Sequence, residues 1–414
     1  GPGSRIFNVK GDAVFRTGWD ADAGLVLFRA GPTFNHNHSD QGSFQFRALG
    51  ETLVTEAGWS DYYKDPYYDT VFTQAAGHNT LLIEGNPASQ DIADTAQFSA
   101  LNRHPRITDA TLSPFYDAVG SDLTTVYRGR LQSYTRRLAY LKPDYLIVFD
   151  RVRTKGQPAS LGWRLHVAAK SGLTVGTGDA STATYAGARA AMTVKAFSSV
   201  KSQFTIGDGR IPYPVFSART PPTVPPQPAY LDLATTAPAD SAWVMIALVP
   251  AKNIDAANAS AEKLTSLASP GWSGLRAQRD GGDDVVLFRT DTALSLTQFE
   301  DWRTDAEAMT FTTKGAEVRR FGAQRVRDLR HDDRPLIAAD RPVNLAFEHA
   351  AGSVTGWIRS DTAARVRVGV TKVPSRVTLN GTVTTTVHDA ATGMVTLDVP
   401  AGSNTVAISW SGDR

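Results

Sequence analysis

Apolar and polar residues alternate over short runs along most of this chain, and turn-forming residues separate one run from the next. Positions 13–17, 25–29, 43–47, 52–55 and 79–83 carry this period-two pattern near the N-terminus, bounded by Gly, Asp, Asn or Pro, and each predicts a strand. Stronger apolar runs at 145–150, 242–248 and 285–289 predict further strands. At 365–370, Val366, Val368 and Val370 share one face while Arg365 and Arg367 take the other, the mark of a half-buried strand in an antiparallel sheet. Helical periodicity is scarce; 256–267, with Asp255 as N-cap, is the best candidate. Many short strands with turn signals between them predict an all-β protein: a large antiparallel β-sandwich (a supersandwich) followed by a small C-terminal β-sandwich.

Two stretches interrupt the pattern. Positions 218–229 hold Pro221, Pro222, Pro225, Pro226 and Pro228, which excludes strand or helix interior and predicts a long loop within the large sandwich. Positions 328–341 are dense in charge without periodicity. We therefore expect a large domain at 5–335 and a small one at 336–414, the latter built from runs at 343–348, 354–359, 365–370, 377–379, 395–399 and 405–410. Asn380-Gly381 is a hairpin signal between two of these. Gly1-Pro2-Gly3-Ser4 resembles the remnant of an excised tag.

Composition narrows the chemistry. Lys and Arg number 43 against 41 Asp and Glu, a formal charge of +2, and no basic block forms a nucleic-acid footprint. No run approaches the roughly 18 consecutive apolar residues of a membrane-spanning helix. Cysteine is absent, which excludes disulfides, thiol catalysis and thiolate-bound metals and fits a periplasmic or secreted protein.

Eight histidines are present, and His36, His38 and His78 lie close in sequence. On a strand, the one-residue spacing of His36 and His38 would place both imidazoles on one face, roughly 6 to 7 Å apart. Such a pair suits zinc when one or two further ligands join it, and Asp40, Glu51, Glu56, Glu84 and His78 are the nearby candidates. It equally suits a solvated sheet face. Glu56 ends an apolar run before Gly58, where a buried carboxylate requires a partner or a metal and an exposed one requires nothing. Trp163, beside His166, could offer a sugar platform, and Arg136 and Arg137 could face an anion or cap a sheet with ion pairs.

The motifs Asn35-His36-Asn37-His38-Ser39-Asp40-Gln41-Gly42-Ser43-Phe44, Glu56-Ala57-Gly58, Tyr62-Tyr63 and Gly77-His78-Asn79-Thr80 resemble the C-terminal half of the heparinase II/III family of polysaccharide lyases. So do Tyr134-Thr135-Arg136-Arg137 and the run 143–152. The resemblance implies an enzyme that cleaves uronate-containing acidic polysaccharides by β-elimination, with an N-terminal α/α toroid packed on a β-sandwich. It implies that His36 is catalytic at the cleft; Asn35, Arg136 and Trp163 are the candidate substrate contacts in this sequence. It further implies that His38, Glu56 and His78 hold a structural zinc, Glu56 standing where the family usually has Asp. The family's catalytic tyrosine and several substrate-binding residues come from the toroid, which the residues before Phe34 are too few to build. Tyr62, Tyr63, Tyr67 and Tyr68 are candidate substitutes for that base, or packing aromatics of a loop. We expect the 414-residue chain to act only with its toroid partner; the alternative is a non-catalytic β-sandwich that binds carbohydrate or a partner protein.

Overall fold

In the computed structural model the alternating runs become strands whose inward residues are fully buried. The structure describes residues 3–33, 38–60, 64–91, 104–211, 226–279, 281–292, 295–315 and 317–410. Strand accounts for 58% and helix for 6%, with large antiparallel sheets that close no barrel. The all-β expectation holds.

The chain divides into two units: Gly1–Thr108 with Ala118–Ala261, and Asp109–Asp117 with Glu262–Arg414. The first contains a five-stranded meander, Arg5–Phe7, Asp12–Arg16, Leu25–Arg29, Phe44–Ala48 and Glu51–Val54. Phe15, Val26 and Phe46 fill its inner face at 0% exposure. An eight-stranded sheet centres on Leu131–Leu141, Tyr145–Thr154 and Ser241–Ala251. Residues 145–149 and 244–249 are buried at every position, which explains their unbroken apolar runs: a strand covered on both faces has no polar side to show. A four-stranded sheet includes Leu81–Ile83 and Leu161–Val167. The second unit holds one extensive antiparallel network around Trp272, Leu287, Phe321, Phe347 and Val366.

Three expectations change. The boundary expected near 335 falls inside a hairpin: Glu317–His331 and Arg334–Ala350 pair along their length, and the division lies instead between Ala261 and Glu262. The charge-dense stretch is this hairpin. Leu329 and Ile337 point inward at 0% exposure, outward charges pair with one another (Arg330 with Asp328, 2.8 Å), and Asp332 and Asp333 make the turn with φ of 50° and 58°. Bulges shift the register and hide the period. Secondly, the helix is Ile254–Glu262, followed directly by the strand Leu264–Ser269. Asn253, not Asp255, caps it, its Oδ1 accepting from the Ala256 amide at 2.9 Å. Thirdly, His38 lies outside any strand, six residues before Phe44–Ala48, so period-two spacing does not govern it. The Asn380-Gly381 turn forms as expected, with both residues at positive φ (51° and 78°) and Leu379 opposite Thr382. Of the proline-rich stretch, residues 218–225 lie outside the described residues.

Candidate active site

Glu56, His78 and His38 converge at one edge of the first unit. Glu56 follows the strand Glu51–Val54, and its Oε2 binds Nδ1 of His78 in a short ion pair. Its other oxygen accepts from Ser43 Oγ at 2.6 Å. The rings of His38 and His78 lie 5.3 Å apart at 50°. His78 Nε2 is buried and, among the described residues, meets no acceptor within hydrogen-bonding geometry. Beside this group a cavity of about 330 Å³ is lined by Asp12, Arg29, Asp40, Ser43, Glu56 and His78, among others. Arg29 spans its floor, 3.1 Å from Asp12 and 3.2 Å from Asp40.

The local chain makes this convergence unavoidable. Gly77 ends a short helical turn, and a Cβ there would stand 2.4 Å from the Val71 carbonyl oxygen; only glycine lets His78 close onto Glu56. Thr73, just past the turn Tyr68–Phe72, holds the Ser39 amide at 2.8 Å and so fixes the residue beside His38. Gly42 has φ of 83°, with Leu123 packed where a side chain would begin.

Asn79 joins this edge to the rest of the unit. It is fully buried. Its Nδ2 donates to the carbonyls of Phe44 (2.7 Å) and Thr55 (2.5 Å), and its Oδ1 accepts from the His166 amide (2.7 Å). Its own amide donates to Ser43 Oγ at 3.0 Å, and its carbonyl accepts from Arg136 at 2.7 Å. Gln41 is likewise internal: its amide donates to Gln90 Oε1, and Gln90 donates back to the Gln41 carbonyl. Much of this polar motif is thus scaffold. Sequence reasoning did not single out Asn79 or Ser43; the available signal was a polar triplet, His78-Asn79-Thr80, feeding directly into the apolar strand Leu81–Ile83 with no turn between.

Charge and burial separate the histidines. Burial disfavours the charged form of His78, but the Glu56 carboxylate, helped by Asp40 and the Phe72 backbone, outweighs it and holds the imidazole above its ordinary value. Burial and the neighbouring His78 push His38 down, against the pull of Asp40 and Glu56. His166 drops to about 3, through burial first and then Arg164 and His78; its Nε2–H faces the Ala76 carbonyl at 3.0 Å.

The other sequence candidates fall elsewhere. His36 and Asn35, with Tyr62 and Tyr63, lie outside the described residues. Arg136 is 2% exposed and fully committed. Nε and one terminal nitrogen grip Asp150 at 2.8 and 2.7 Å, and the other donates to the carbonyls of Gly42 and Asn79. It is an internal clamp and no substrate contact. Trp163, at 1% exposure, is a core residue, and its indole nitrogen is buried without a partner; no sugar can stack on it. Glu84 turns to the Ser160 amide (2.6 Å) and Glu51 to the Arg189 amide (2.8 Å), both away from the histidines. Tyr67 lies under the Arg210 guanidinium, 5.3 Å from it. Among the described residues, no three His, Asp or Glu side chains meet as a metal-ligand set, so the donor chemistry suits zinc while the arrangement of Glu56 on His78 does not itself open three ligand atoms to one point.

This all-β fold, with its histidine–carboxylate edge, is of the kind found in the C-terminal half of polysaccharide lyases. The chain belongs to the heparinase II/III-like family: residues 8–225, over half its length, match the family's C-terminal profile. No curated protein sequence matches it significantly. Among solved structures it is similar to heparan sulfate lyase HepC from Pedobacter heparinus (15% identity, TM-score 0.54, covering 70% of this chain and 43% of that one). It is also similar to a heparinase III, the BT4657 gene product (14%, TM-score 0.51, 75% and 42%), and to a Paenibacillus xanthan lyase (10%, TM-score 0.50, 98% and 38%). The chain spans between 38% and 43% of the length of these proteins.

Proposed function

We propose that this chain is the β-sheet portion of a lyase that cleaves uronate-containing acidic polysaccharides by β-elimination. The observation that carries the reading is the convergence of His38, Glu56 and His78 beside an open cavity, in a chain of this family. In the reaction a base removes the C5 proton of a uronate, the electron pair forms the C4–C5 double bond, and the C4–O bond breaks to a leaving oxygen that takes up a proton. The uronate carboxylate must be neutralised for the C5 proton to become acidic. His36, two residues before His38, is the residue we assign to that neutralisation or proton movement, with Asn35 beside it. The base comes from an N-terminal toroid partner. Positioning of base and neutralising group together is worth as much as about 7 to 11 kcal/mol, so the chain without that partner should be almost silent.

Zinc, or a similar divalent ion, would be held by His38, Glu56 and His78 once the Glu56–His78 contact parts to admit it; two imidazoles and one carboxylate gathered at one edge support this. Bound there, the ion would fix the geometry around His38, two residues from His36 in sequence. We place the protein in the periplasm or outside the cell, where such polymers occur. The test is to assay this chain, and the longer protein with its upstream region, on a panel of acidic glycans by ultraviolet absorbance of the unsaturated product. Elimination by the longer protein, lost in His36→Ala, is the expected result; no elimination from any uronate polymer would overturn the reading and leave a non-catalytic glycan- or partner-binding β-sandwich.

A further inference from the structure

The outer face of the N-terminal meander carries a second cluster that the elimination chemistry does not use. Arg16 stands opposite Leu25, and Leu25 opposite Arg47, on three neighbouring strands. All three side chains project outward, because Phe15, Val26 and Phe46 occupy the buried face. At about 4.8 Å between strands, the two arginines flank Leu25 with their backbones roughly 10 Å apart, close enough for both long side chains to reach one anion. At the same end, Trp19 is 61% exposed, and the Arg16 guanidinium lies 4.1 Å from its ring centre. Arg47 holds the loop carrying Trp19 in place, donating to the Ala21 carbonyl at 3.2 Å.

Neither arginine has a carboxylate within ion-pair distance among the described residues. The two acids of the same loop are engaged elsewhere: Asp20 accepts from the Asp22 amide at 3.0 Å, and Asp22 pairs with Arg189 at 3.2 Å. Next along the face come the apolar pair Val14 and Leu27, then Asp12 and Arg29 at the cavity beside Glu56 and His78. From Arg16 to Asp12 is roughly 13 Å along the strand, the span of a few sugar rings. An exposed indole offers a flat apolar platform to the C–H face of a pyranose, and paired guanidinium groups recognise carboxylate or sulfate.

We propose that Trp19, Arg16 and Arg47 form a subsite for one acidic sugar of a glycan chain whose remainder runs over Val14 and Leu27 towards the cavity. This rests on the reading that the substrate is an acidic glycan, and the test separates the two. A short glucuronate homopolymer is titrated into the 414-residue chain, with its carboxyl-reduced glucan as neutral control. Binding of the acidic polymer alone is expected. Trp19→Ala should weaken it by about tenfold, and Arg16→Gln with Arg47→Gln should weaken it further and flatten its salt dependence. Equal affinity in all variants, or equal affinity for the neutral glucan, would overturn the subsite. So would a Trp19 in the longer protein that resists indole oxidation without any glycan, because another domain would then cover it. If these variants lose binding while the longer protein cleaves no uronate polymer, the subsite stands and the lyase reading fails.

Discussion

Two ion pairs sit on either side of Asn79 in the first unit, and they are built to opposite ends. Arg136–Asp150 lies in the core with both partners at or below 3% exposure, and two further guanidinium donors are spent on carbonyls. Glu56–His78 lies at the cavity edge, with Glu56 one-fifth exposed and one imidazole nitrogen left without an acceptor. The first pair is closed and can do nothing but hold strands together. The second lines the cavity with its carboxylate partly exposed, and a partly solvated, cavity-lining pair is what a functional site requires.

Breaking the closed pair should have the largest effect. Asp150→Ala strands a buried guanidinium, so we expect a loss of about 3 to 5 kcal/mol, read as a drop in the urea midpoint or failure to recover folded protein. Next comes the joint between the pairs. Asn79→Ala leaves the Phe44 and Thr55 carbonyls and the His166 amide without their partner, and at about 1 to 3 kcal/mol for a stranded buried group denaturant unfolding should show a loss of the order of 3 kcal/mol.

The third expectation concerns pH. Folded His166 stays neutral down to about 3, whereas in the unfolded chain it protonates near its ordinary value of about 6.5. Between those values the unfolded state binds the extra proton, so stability is full above about pH 6.5 and falls as pH drops towards 3, by up to a few kcal/mol. His166→Gln should flatten that part of the stability–pH curve; an unchanged slope would show that His166 is not its source. The smallest stability effect is expected at the open pair. Glu56→Gln keeps an acceptor for Ser43 and should cost no more than about 1 to 2 kcal/mol, while abolishing divalent metal uptake measured by elemental analysis of chelator-free protein. Stoichiometric metal in that variant would remove Glu56 from the ligand set.

How much of this was legible follows from what each residue's neighbours are. Strands with one wet face announced themselves, as at Leu25–Arg29, where the observed bounds match the pattern. The hairpin through Asp332 and Asp333 did not, because bulges break its period and its outward charges resemble a linker. At the site, His38, Glu56 and His78 were found by type and by family likeness, but Arg136 and Trp163 could not be sorted from the sequence alone. An arginine on a strand is a surface group or a core clamp depending on a partner that is distant in the chain, and here the Gly42 carbonyl it binds lies 94 positions away. Local spacing carries no trace of such contacts.

The composition of the second unit bears on the order in which this protein can be made. Asp109–Asp117 counts with Glu262–Arg414, and fully buried Gln324 donates to Asp109, 215 positions earlier, at 2.8 Å. On a ribosome, at about 5 to 20 residues per second, the early segment emerges many seconds before its partners exist. It must wait, attached to a chain that is already folding, for the last third of the polypeptide to arrive. No single cut yields the second unit whole, so a gene fragment starting at codon 262 would encode its large sheet without the segment that completes it. Vectorial synthesis thus favours inheritance of the two units as one block.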